Sequence, residues 1–180
     1  MQLVCPAGNL PALQAAVDAG ANAVYAGFRD QTNARAFPGL NFSDDELRAG
    51  VRYAHAKGAK VYLALNTYPD SARVRDWYSA VDKAAALGCD AIIAAEMAVL
   101  DYAARTHPGL PRHLSVQGSA TTAPALKYAF ERFGISRAVL PRVLSLQQVE
   151  RLCERSPVAL EVFAFGSLCI MVEGRCQLSS

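Results

Sequence analysis

The segment Gly58-Ala59-Lys60-Val61-Tyr62-Leu63-Ala64-Leu65 decides how the chain is read. A glycine suited to the left-handed residue that closes a helix is followed within two residues by a short apolar run with strand character. The same unit recurs: Gly20 precedes a run over 22–27, Gly88 one over 90–94, and Gly134 one over 137–140. Segments 3–5, 113–117 and 159–163 complete a set of seven predicted strands. Between them apolar residues fall at helical spacing, as in Leu10, Leu13 and Val17; Leu47, Val51 and Ala54; Trp77, Val81 and Ala84; Leu126, Phe130 and Phe133; and Leu146, Val149 and Cys153. Ser43-Asp44-Asp45-Glu46 reads as a capping box, and Ser71 and Ser145 as less complete caps.

Six strand–helix alternations with mostly short connections predict an α/β fold with a parallel sheet covered by helices. Pro6-Ala7-Gly8-Asn9, after the first strand, is not the glycine-rich phosphate loop of a dinucleotide-binding sheet. The pattern therefore favours a (β/α)8 TIM-barrel-like fold over an open doubly wound one. Such barrels typically need about 250 residues, and the sequence has 180 with seven strands visible. Residues 1–180 thus read as the N-terminal and major part of an incomplete barrel. Its remainder is expected beyond Ser180, and strands one and seven would be edges that pair or are covered.

Composition narrows the function classes. Eighteen Lys and Arg against 16 Asp and Glu leave a net charge of +2, with 52% hydrophobic residues and a mean hydropathy of +0.13, which suits a packed core and not a disordered chain. Basic residues form no run or stripe, so the footprint of a nucleic-acid binder is missing. No stretch approaches the roughly 18 apolar residues of a membrane span, and the N-terminus has no basic leader, so a cytoplasmic location is expected. Five cysteines, an odd number, point to thiols or metal ligands instead of a disulfide framework.

In a βα barrel, functional side chains cluster where strands end. Cys5, Asn9, Tyr25, Asn66, Glu96, Gln117, Ser119 and Arg142 hold such positions, and the long connection 28–42 adds Thr32-Asn33-Ala34-Arg35. Arg35, Asn66, Gln117 and Arg142 are the candidate substrate-binding residues; as a pair, the two guanidiniums suit a carboxylate. Cys89 and Cys153 read as core, while Cys5 fits either a ligand or a small buried residue. His55, His107 and His113 are isolated and read as surface or cap residues. Cys169 and Cys176, flanked by Gly166 and Gly174, offer two thiolates of the about four that a closed zinc or iron–sulfur site needs. No nucleophile elbow or H-E-x-x-H motif supports hydrolysis, and catalytic residues stay unassigned.

The stretch Glu161-Val162-Phe163-Ala164-Phe165-Gly166-Ser167-Leu168-Cys169, followed four residues later by Gly174-Arg175-Cys176-Gln177-Leu178-Ser179, resembles the signature of the collagenase-like peptidase U32 family. Segments 5–13, 32–35, 39–42 and 139–145 carry the resemblance along the chain, most closely toward the family's ubiquinone-biosynthesis, UbiU-like branch. The resemblance implies an O2-independent hydroxylase acting on a ubiquinone precursor as a heterodimer with a UbiV-like sister subunit. It also implies a 4Fe-4S cluster bound through the motif 161–180, with Cys169 and Cys176 as two ligands and two more beyond Ser180. Prephenate, a dicarboxylate, is the implied hydroxyl donor, which Arg35 or Arg142 could receive. A U32-type peptidase, an RNA-hydroxylating relative and a non-catalytic scaffold barrel are the alternatives.

Overall fold

The computed structural model describes residues 1–166. The strands are β1 (Val4–Pro6), β2 (Ala23–Gly27), β3 (Lys60–Leu65), β4 (Ala91–Ala94), β5 (Arg112–Leu114), β6 (Arg137–Val139) and β7 (Ala159–Glu161). They alternate with helices α1 (Leu10–Asp18), α2 (Asp44–Ala56), α3 (Val74–Ala86), α4 (Met97–Thr106), α5 (Ala123–Phe133) and α6 (Leu146–Arg155). Every neighbouring pair is parallel and the spatial order is β1 to β7 without reversal. A doubly wound sheet would reverse at a switch point; this one winds in a single direction, as a barrel wall does. Its curl brings distant strands together: Arg137 Nη2 on β6 donates to Gln2 Oε1, at the foot of β1, over 2.5 Å.

The punctuation read from the sequence accounts for most element ends. Gly20, Gly58, Gly88 and Gly134 all adopt positive φ, a region where other residues carry a steric cost. Ser43 forms a complete capping box with Glu46, and Ser145 forms another with Gln148, fuller than expected. Ser71 caps nothing. It sits in the turn before α3, where its hydroxyl meets Asp70, and α3 starts at Val74 with Arg73 at the N-cap position and no side-chain cap. The predicted strand over 113–117 stops at Leu114, because Ser115 Oγ accepts the Gln117 N–H and winds Val116–Gly118 into a 3-10 turn.

Alternation along the strands sorts the core. Val24, Val61, Leu63 and Ile92 face outward and pack with Leu13, Leu47, Val51, Trp77 and Val81 of the helices. Ala23, Tyr62, Ala91 and Ile93 face inward and form a smaller cluster with Val4 and Tyr25. Cys89 is buried as expected, and burial pushes its thiol up to about 12. Cys153 is exposed, against expectation. Helix α6 docks through Leu152, with Val149 half-buried beside it, so the 146/149/153 stripe is turned aside and Leu146 is 82% exposed. His113 also departs from its surface reading. It is an inward residue of β5, buried and edge-on to the Tyr62 ring at 4.7 Å. His55 and His107 lie at the surface on Asp90 and Asp82.

Candidate functional site

The carboxyl ends of the strands enclose a pocket of about 390 Å³. Its floor is made by inward residues from the last turn of the wall: Tyr25, Ala64, Ile93, Ser115, Val139 and Glu161. Arg35, Asn66, Gln117 and Arg142, the four residues picked from strand ends and the long connection, all line it. Phe37, Leu40 and Phe163 add an apolar rim that the sequence reading passed over, because an apolar residue in a loop carries no chemical signal of its own.

Arg35 is held by its backbone. Asn33 Oδ1 accepts the Arg35 N–H at 3.1 Å, and Asn41 Nδ2 donates to the Arg35 carbonyl at 2.6 Å. The loop is then tied to its neighbours: the Ala34 N–H reaches Asn66 Oδ1 at 2.9 Å, and the Asn41 N–H reaches the Gly8 carbonyl at 2.5 Å, with Asn41 at φ 73°. Asp30 closes the near side by accepting from the Thr32 N–H and hydroxyl. A long connection thereby becomes a rigid arm. The Arg35 side chain itself is exposed and donates to no described residue.

Arg142 enters from the opposite wall and lies over the Phe163 ring, 3.6 Å from its centroid. Tyr25 shares this lining with both cations. Burial raises its pKa, and the positive charges of Arg35 and Arg142 oppose that rise. Gln117 is positioned through its backbone, whose carbonyl accepts the Tyr68 hydroxyl at 2.6 Å. The arrangement sets two guanidiniums, two amides and the Glu161 carboxylate among apolar sides, groups able to hydrogen-bond an anionic or hydroxylated small molecule.

Other strand-end residues have structural duties. Asn9 and Glu96 cap α1 and α4, accepting the Ala12 and Ala98 N–H groups. Ser119 closes the 3-10 turn at φ 51°, and Cys5 packs against the helix-covered core. None of the four lines the pocket. Cys169 and Cys176 lie outside the described residues. Among the described residues no three His, Cys, Asp or Glu side chains converge as metal ligands would, and no helix is long and apolar enough to cross a membrane.

The sequence profile of Peptidase family U32 matches residues 8–180. The chain belongs to that family. Among its U32 relatives, the tRNA hydroxylation protein P of Escherichia coli (strain K12) is 32% identical over 184 residues, covering 99% of this chain and 39% of that protein. The protein of the same name from Helicobacter pylori (strain ATCC 700392 / 26695) is 34% identical over 181 residues, covering 100% and 42%. A collagenase from Porphyromonas gingivalis (strain ATCC BAA-308 / W83) is 34% identical over 189 residues, covering 99% and 44%. The chain therefore spans about two fifths of the curated relatives it matches. In three dimensions it resembles the U32 peptidase Mk0906, with TM-score 0.73, 18% identity, and coverage of 90% of this chain and 68% of that one. The U32 fold seen here is thus a parallel, barrel-type wall of seven strands with its pocket at the carboxyl ends.

Proposed function

We propose that this U32 protein is the iron–sulfur subunit of an O2-independent hydroxylase that modifies a ubiquinone precursor in the cytoplasm beside a UbiV-like sister subunit. The observation that carries the reading is the convergence of Arg35 and Arg142 on one apolar-sided pocket. Hydroxylation without O2 needs another source of the oxygen atom, and an anionic donor such as prephenate suits two guanidiniums, with the Asn66 and Gln117 amides beside them. Phe37, Leu40 and Phe163 would shield the reacting ring from water. Cys169 and Cys176 would supply two thiolates to a 4Fe-4S cluster, a group that carries one-electron chemistry when bound.

The names of the relatives favour a second reading, hydroxylation of RNA. Against it stand the net charge of +2 and a pocket whose described cations are two arginines, where tracking a phosphate backbone calls for a spread of basic surface. A peptidase is less supported: no His and no Cys is among the described residues lining the pocket, so no Ser–His or Cys–His pair forms there. The test is anaerobic purification of the intact protein with its sister subunit, then incubation with prephenate and either a ubiquinone precursor or unmodified tRNA. A precursor one oxygen heavier, with iron and acid-labile sulfide in the protein, is the expected result. A hydroxylated nucleoside with an unchanged precursor would overturn the proposal in favour of the second reading, and cleaved gelatin with neither product would overturn both.

A further inference from the structure

We infer that Glu161 is the hydrogen-bond acceptor that selects a hydroxyl-bearing ligand in the mouth of the barrel, and that Arg137 is the residue that positions it. The inference rests on the reading of this pocket as the substrate site and adds a specificity to it. Glu161 ends β7 and opens the family signature, a motif of which the proposed function uses only the cysteines. Its register partner Val139 faces the same pocket, so the β7 pleat aims the carboxylate inward. Glu161 is the single carboxylate among the described lining residues.

The carboxylate is built in. Its side chain is 19% exposed, and Arg137 Nη1 donates to Oε2 at 3.0 Å, from a side chain that is itself 14% exposed. Arg137 is held in turn by Gln2 Oε1 and by the face of Tyr62, 5.5 Å from the ring centroid. Arg137 thus anchors one carboxylate oxygen from below, while Oε1 has no hydrogen bond from any described residue. The charge of Glu161 also reaches Tyr25, so the carboxylate, Arg35 and Arg142 border one space. The pocket is therefore polarised, with two cationic donors at the rim and one anionic acceptor on the floor. A ligand that fills it carries an anionic group at one end and an O–H donor at the other. A purely structural ion pair would neutralise Arg137 equally well and make no such distinction.

The test compares binding of 4-hydroxybenzoate and 4-methoxybenzoate to the intact protein by calorimetry, since both carry the carboxylate and only the first can donate from the far end. A charge-assisted hydrogen bond predicts about tenfold tighter binding of the hydroxy probe. Glu161→Gln should abolish that preference while leaving the methoxy probe's affinity unchanged; circular dichroism and a thermal melt report whether the variant folds. Glu161→Asp, which keeps the charge one methylene back, should restore part of the preference. Equal binding of the two probes to the wild type, or a preference that survives Glu161→Gln, would overturn the role of Glu161 alone. Failure of both probes to bind, or binding unaffected by Arg35→Ala, would overturn the substrate-pocket reading and this inference with it.

Discussion

Asn33 fills the space that a side chain on residue 27 would need: a Cβ on Gly27 would fall 2.2 Å from Asn33 Nδ2 and 2.4 Å from its Cγ. Glycine is required here by contact, since its φ is not among the positive ones. Gly27→Ala should push Asn33 away and release the Arg35 N–H that it accepts. A loss of about 1–3 kcal/mol in urea unfolding is expected from such overpacking, with weaker binding of anionic ligands. A variant unchanged in both would show that the loop has room to spare.

Removing the Arg35 side chain should separate binding from stability. It is exposed and donates to no described residue, so Arg35→Ala should change unfolding free energy by less than about 0.5 kcal/mol. Loss of a charge-assisted contact should weaken a carboxylate ligand by roughly tenfold to a hundredfold. Isothermal titration checks the second figure and a denaturant curve the first.

His113 should make stability depend on acid. Burial is the main cause that lowers its pKa, from 6.5 to about 4, with the Arg137 and Lys60 charges adding to it, and its Nδ1 has no hydrogen-bond partner among the described residues. The unfolded chain then binds a proton that the folded chain refuses. Stability from this group is complete above about pH 6.5 and is lost as pH falls toward 4, a change of about 2–4 kcal/mol. Urea unfolding between pH 4.5 and 7.5 should show that slope, and His113→Gln should flatten it.

Arg112 faces the opposite side of the sheet and serves the fold. Its guanidinium donates to the carbonyls of Phe133 and Leu110 at 2.8 Å, Gly134 at 3.2 Å, His107 at 3.4 Å and Pro108 at 3.5 Å. Arg112→Met keeps much of the volume and removes every donor, and should cost about 2–4 kcal/mol. Arg112→Lys should recover little of it, because an ammonium cannot match the planar fork. Full recovery by lysine would show that charge alone matters.

The two cysteines read alike from the sequence should differ in reactivity. Cys153 is exposed and Cys89 is buried, with its thiol at about 12. A maleimide at neutral pH should label Cys153 within minutes and Cys89 only on unfolding. Mass spectrometry of peptides locates the label, and native labelling of Cys89 would contradict its place in the buried core.

How much was legible follows from what each residue depends on. Helix stops at Gly20, Gly58, Gly88 and Gly134 and the cap at Ser43 rest on interactions within a few residues, so spacing sufficed. That Arg35, Asn66, Gln117 and Arg142 line one pocket follows from the rule that strand ends and the connections after them converge. Cys153 was misplaced because its stripe is genuine at helical spacing, and the tilt that buries Leu152 instead is set by partners on other elements. His113 was misjudged because strand parity inside a three-residue strand is invisible without its neighbours. The Glu161–Arg137 pair joins two strands and could not be seen from either alone.

The unreversed strand order bears on how the chain assembles during synthesis. Each strand pairs with the one made just before it, from Val4 with Ala23 at the short end to Ala23 with Lys60 at the long end. Every new strand thus meets a finished edge as it leaves the ribosome, and the entropy of closing each loop stays small. The Arg137–Gln2 bond departs from this order, joining residues 135 apart in sequence. It can form only after six strands are in place, so it marks the moment at which a growing ribbon acquires an inside.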